Sequence, residues 1–264
     1  MYNDFIRNKL MPVSHEIKSQ LAKLLATEDL VVEHKKVETA CFNVHTRVLT
    51  LPMWEKASNT VYDLLVGHEV GHALYTPDED WLKEYKIPPQ FVNVVEDARI
   101  EKLMKRRYPG LAKTFFSGYK ELADDDFFQI KDDNLETYNL ADRANLWFKI
   151  GNFTDILIER GEETDIINQI AETETFADVL IAAEALYKYC KHKQEEKPRP
   201  LWITLNRSRA VPISNPLLIS VTSKKVRTTN LNLKVLMVLL PLKLLSSNSS
   251  NLPTKVVRRM KNQK

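Results

Sequence analysis

Cysteine is nearly absent: Cys41 and Cys190 are the only two in 264 residues. A pair so far apart excludes a disulfide framework and fits a reducing compartment. Neither belongs to a Cys-x-x-Cys motif, so any metal site must draw on histidine and carboxylate. Each cysteine is expected to be a small buried hydrophobe. The N-terminus, MYNDFIRNKLMPVSHEIK, lacks an uninterrupted apolar run behind a basic start. That argues against a secretory signal or membrane anchor, and the expected location is the cytoplasm. The apolar tail segment VLMVLLPLKLL is too short to span a bilayer and is broken by Pro241 and Lys243. No internal repeat is evident.

Acidic residues are missing altogether from Pro198 onward, where 13 Lys and Arg fall. The other 25 of the 38 Lys and Arg share residues 1–197 with all 35 Asp and Glu, a net of −10 hidden beneath an overall +3. The chain therefore divides into an acidic, helix-rich domain over 1–197 and a basic tail over 198–264 that is expected to be poorly ordered. A break this abrupt is what a shifted reading frame or a degenerate gene end would produce. The tail has one aromatic residue, Trp202, and no basic stripe on a definable helix, so nucleic acid is not an expected partner.

The apolar spacing predicts a helix from Met11 to Leu25 with Ser14 as N-cap, and β structure over Lys36 to Leu51 turning near His45. Pro52 ends the TRVLTLP strand or keeps it at a sheet edge. Further helices are predicted over Ala57–Tyr75, Phe91–Arg107, Leu111–Ala123, Leu140–Arg160 and Phe176–Tyr189. The acidic stretches ADDDFF and RGEETD read as solvated loops or caps. The fold class is α+β, predominantly helical, with a small β-hairpin or sheet before the third of these elements.

That helix contains VGHEVGHALYTP, Val66 to Pro77. Positions i and i+4 share a helix face, so His68 and His72 can bring two imidazole nitrogens to one point. A catalytic zinc ion takes three protein ligands and leaves a fourth position for water. Glu69, rotated by about 100° from His68, can reach that water without being a ligand, which makes it the candidate general base. The spacers Gly67, Val70, Gly71, Ala73 and Leu74 are uncharged, as a helix beneath a cleft requires. Gly71 costs about 1 kcal/mol in a helix interior, so a close approach by a neighbouring element or a substrate is expected there.

The third ligand is sought in NVVEDARIE, Asn93 to Glu101, on the next helix. Asn93, Glu96 and Ile100 share one helical face; Asp97 and Glu101 share the adjoining one. The expected metal set is His68, His72 and Glu96, with Asp97 accepting the outer N–H of a ligand histidine. Arg99 either neutralises the carboxylates or is an exposed partner of Glu96 at i+3. His45 is the alternative third ligand, in which case Glu96 moves outward. His15, His34 and His192 are weaker candidates. Tyr75, Tyr108, Tyr119 and Arg99 are the available donors for a developing oxyanion.

LLVGHEVGHALYTP followed by NVVEDARIEKLMKRRYPG resembles the zincin-like metallopeptidases encoded by large tailed phages, often linked to a von Willebrand factor A-like domain. The EDARIE stretch is also similar to the von Willebrand-type subunits of cobalt chelatases. The resemblance covers about Thr46 to Leu122. It implies a zincin-like domain with Zn²⁺ on His68, His72 and Glu96, Glu69 as catalytic base, and a peptide or protein as substrate. No von Willebrand-like segment follows Lys197. The rival expectation is a non-catalytic metal-binding module that serves a partner of AAA or von Willebrand factor A type.

Overall fold

The computed structural model describes residues 13–55 and 57–196. The basic tail and its apolar VLMVLLPLKLL segment lie outside the described residues, as do Met11 and Pro12. The described chain is α+β and mostly helical, in the order α1 (His15–Ala26), β1 (Val31–Lys35), β2 (Cys41–Asn43), β3 (Val48–Pro52), α2 (Asn59–Tyr75), α3 (Pro89–Arg107), α4 (Gly110–Asp124), α5 (Leu140–Ile150), α6 (Glu162–Glu172) and α7 (Phe176–Glu196). Among the described residues no helix is long and apolar enough to cross a membrane.

Local chemistry starts and stops these elements. Ser58 caps α2 by accepting the Val61 N–H at 3.1 Å, and Pro77 follows one residue after the helix closes on Thr76. Pro89 opens α3, where its missing N–H costs nothing, and Lys105, Arg106 and Arg107 complement the helix dipole at the other end. The β2–β3 turn is held by the Asn43 side chain, which accepts from the His45 and Thr46 N–H groups, while Arg47 takes a left-handed φ of 58°.

Three expectations fail on non-local grounds. The strand β1 was not foreseen; it pairs in parallel with β3, Val31 opposite Val48, and gives the order β1-β3-β2. The TRVLTLP strand ends at Pro52, the first of the two expected outcomes, and lies at the centre of the sheet, with β2 the edge on its antiparallel side. Nor was α6 foreseen, although RGEETD, read as a loop or cap, does cap it through Gly161. Glu162, Glu163 and Asp165 occupy its first turn, where carboxylates favour a helix N-terminus, and Ile166, Ile167 and Ile170 are buried. The predicted Leu140–Arg160 helix stops at Ile150, with the Gly151 N–H bonded to the Trp147 carbonyl.

Two apolar clusters result. One packs α1, the sheet, α2 and α4 around Phe42, Leu49, Leu64 and Phe115. The other packs α5, α6 and α7 against Phe91, Val92 and Val95 of α3. Where α2 meets α3, close approach depends on Gly71: a Cβ there would stand 3.1 Å from both Ile100 and Met104. The neighbour expected near Gly71 is therefore α3.

On the other side Gly118 of α4 meets α2, and a Cβ would fall 2.8 Å from Leu64 Cδ1 and 3.0 Å from its Cβ. Gly118→Val is expected to destabilise the protein by about 1–3 kcal/mol through overpacking, read as a lowered urea midpoint with unchanged slope.

Candidate metal centre

His68 and His72 lie on the face of α2 that meets α3, and both are fully buried. On α3 the stripe toward α2 runs through Asp97, Ile100, Glu101 and Met104. Ile100 and Met104 fit against Gly71, which turns Asp97 and Glu101 toward the histidines. One ring nitrogen of His68, one of His72 and an Asp97 oxygen lie within 4.8 Å of one another. Asp97 Oδ1 stands 3.5 Å from His68 Nε2 and 3.4 Å from His72 Nε2. None of these three buried atoms has a hydrogen-bond partner.

The outer nitrogens are engaged, and their partners set the tautomers. His68 Nδ1 donates to Glu101 Oε1 at 2.9 Å; that carboxylate also accepts from the Tyr119 hydroxyl and from Lys105. His72 Nδ1 bonds Thr76 Oγ1 at 2.9 Å, and the Thr76 hydroxyl gives its proton to Glu96 Oε1 at 2.5 Å. With that proton spent, Thr76 can only accept from His72, so Nδ1 carries the hydrogen. The His72 Nε2 lone pair consequently points inward, and that of His68 does so once its second proton has left.

Glu96 does not stand where the sequence placed it. Its two oxygens form a bidentate pair with Arg99, at 2.8 Å to Nε and 2.7 Å to Nη2. Arg99 is buried rather than exposed, and it also donates to the Tyr75 and Glu174 carbonyls. Asp97 joins the histidine cluster in place of Glu96; the outer N–H that Asp97 was expected to accept goes from His68 to Glu101, and Glu96 reaches His72 only through Thr76. The i, i+3 pairing of Glu96 with Arg99 was the signal in the sequence, since it turns the Glu96 carboxylate toward Arg99 and away from the imidazoles.

His45 is outside the cluster, its side chain 65 % exposed and paired with Asp78. His15 and His34 meet each other at a tilt of 58°, ring centroids 4.4 Å apart, between α1 and β1. The oxyanion candidates all have other partners: Tyr119 bonds Glu101, Tyr108 bonds the Leu25 carbonyl, Arg99 bonds Glu96, and Tyr75 interacts with Arg107. Sequence reasoning missed Thr76 and Lys149. Thr76 was legible, being four residues after His72; Lys149, 52 residues from Asp97, was not.

Glu69 is fully buried, and neither of its oxygens has a hydrogen-bond partner; the Phe42 N–H of edge strand β2 faces it without closing a bond. Burial pushes its carboxyl up to about 8, with the His68 charge opposing. Burial pulls His68 downward, but Asp97 and Glu101 outweigh it and raise the imidazole to about 9. His72 is lowered to about 4 by burial and by the neighbouring His68 charge. Burial would raise Glu101, yet Lys105 and the His68 and Tyr119 bonds hold it at about 2. A metal ion arriving below about pH 9 must displace a proton from His68.

The donor set suits a small divalent ion. Ligand atoms about 2.0–2.1 Å from zinc at the tetrahedral angle stand about 3.3–3.4 Å apart, close to the two Asp97 separations. Without a metal, the proton held by His68 offsets the Asp97 charge, and a divalent cation would take that proton's place. Fold and site together define a mostly helical α+β protein with a buried cluster of two histidines and one aspartate fit to bind a metal. Comparison with protein-family models, curated proteins and solved structures returns no match.

Proposed function

We propose that this protein is a zinc-dependent peptidase of zincin-like fold, with His68, His72 and Asp97 as metal ligands and Glu69 as general base. One observation carries the reading. The three unpartnered atoms of the cluster belong to groups near enough to Glu69 for the charges of His68 and Asp97 to act on its carboxyl, and the Glu69 oxygens are also unpartnered. A purely structural site has no use for a carboxylate that neither binds the ion nor forms a hydrogen bond.

Zinc held there would acidify water and polarise a peptide carbonyl. Glu69 takes the proton of the attacking water and returns it to the departing amine. Its high proton affinity suits both halves of that exchange, because it holds the proton between the two steps. Glu101 and the Thr76–Glu96–Arg99 chain keep each imidazole oriented. Edge strand β2, beside Glu69, is the strand along which an extended peptide would pair; β3 has both edges occupied.

A second reading, a non-catalytic metal-binding module serving an AAA-type or von Willebrand factor A-type partner, is favoured by the complete burial of His68, Glu69 and His72. The experiment that decides is metal analysis of the purified full chain beside hydrolysis of labelled unfolded casein. The expected result is about one zinc per chain and a chelator-sensitive activity that zinc restores. Zinc without turnover supports the second reading, and no bound metal removes both.

A further inference from the structure

We propose that Lys149 is the positioning residue that restricts Asp97 to a single donor oxygen and so holds the site at a coordination number of four. The proposal rests on the metal reading above.

Lys149 lies on α5 with only 3 % of its side chain exposed. Burying an ammonium costs several kcal/mol unless close partners replace its water. It has them: Nζ donates to Asp97 Oδ2 at 2.8 Å and to Asn145 Oδ1, one turn earlier on α5, at 2.7 Å. Asn145 is itself buried. The ammonium is thus anchored from its own helix while it grips a residue of another.

The grip divides the Asp97 carboxylate. Oδ2 is occupied by Lys149, whereas Oδ1 is buried without a partner and faces both Nε2 atoms. A carboxylate free to turn about its terminal torsion could offer an ion either one oxygen or both. Here rotation would break a charge-assisted bond in a dry environment, where such bonds are strongest. Asp97 therefore presents one oxygen, and together with two imidazoles that leaves a fourth tetrahedral position open.

A simple α3–α5 tie would show the same ion pair, so the test must read coordination. Affinity alone does not separate the effects, because removing a positive charge beside a dication strengthens its attraction while loosening Asp97 weakens the site. Cobalt replaces zinc in such sites and reports its geometry through visible absorption. The full chain, loaded with Co²⁺, is expected to show the intense band of four-coordinate cobalt. Lys149→Met is expected to give a severalfold weaker band as both Asp97 oxygens turn to the ion, and Lys149→Arg, which still donates to Oδ2, to retain the parent intensity. A folded Lys149→Met with the parent spectrum overturns the proposal, even if its melting temperature falls. Should Lys149→Met not fold, Asn145→Ala is read in its place: a weakened band supports the proposal and an unchanged one sinks it. A parent protein that binds neither cobalt nor zinc removes the peptidase reading and this inference together, an outcome distinct from the unchanged spectrum.

Discussion

Replacing Asp97 by asparagine is expected to strip the protein of its metal, whereas replacing Glu96 by glutamine is expected to leave it bound. Asparagine preserves the shape of the Asp97 side chain and can still accept from Lys149, so the fold should survive. What it loses is the anionic oxygen between His68 Nε2 and His72 Nε2. With two neutral imidazoles remaining, zinc affinity should fall well beyond the ~10–100-fold typical of a lost outer partner. Glu96→Gln removes only a charge that reaches the site through Thr76 and His72, and its cost should stay at or below that ~10–100-fold range. Competition with a chromogenic chelator measures both variants directly. Metal retained in Asp97→Asn and lost in Glu96→Gln would restore the ligand set that the sequence suggested.

Glu69→Gln is expected to keep zinc and lower peptide hydrolysis by about 10²–10⁴-fold, the usual contribution of a positioned general base. Glutamine fills the same space but cannot take a proton from water. The variant carries a second, independent signature in the metal-free protein. Glu69 is raised from its ordinary 4.5 to about 8 by burial, so the folded chain holds a proton that the unfolded chain releases. Between about pH 4.5 and 8 the folded state binds more protons, and its stability falls as pH rises through that window. Removing the carboxyl removes that loss. Metal-free Glu69→Gln should therefore melt above the metal-free parent at pH 8 and converge with it near pH 4.5. Hydrolysis undiminished in the variant would end the proposed mechanism; identical melting curves at pH 8 would show that Glu69 is not a buried, unpaired acid.

How far the site was legible depends on the distance over which each part is determined. The helix carrying His68, Glu69 and His72 could be read because a period of 3.6 residues and an i, i+4 pair are properties of a dozen consecutive residues. The acidic stretch on α3 could be located for the same reason. Choosing between its two adjacent carboxylates could not be done from local pattern, since neighbours on a helix point about 100° apart. Arg99, three residues after Glu96, and the Ile100/Met104 stripe that includes Asp97 were the available hints.

The sheet repeats the lesson. The β2–β3 hairpin was predicted from alternation and a short turn, but β1 acquires its identity only by pairing in parallel with β3, on the side away from β2. α6 was misread because its acidic first turn resembles a loop until the three isoleucines behind it find a core.

By itself, then, the amino-acid order determined most of the helices, the hairpin, the two imidazoles with Glu69 beside them, and the acidic segment that meets them. Only the tertiary structure decided that Asp97 faces inward, that Glu96 is held by Arg99 and Thr76, and that a lysine from α5 closes the cluster. The reason is rotational. A helix dictates the angle between its own residues, but which of them meets a neighbour is set by how the helix is turned about its axis. For α3 that turn is set by Ile100 and Met104 seating against a glycine on α2 and by Phe91 and Val95 entering a second core.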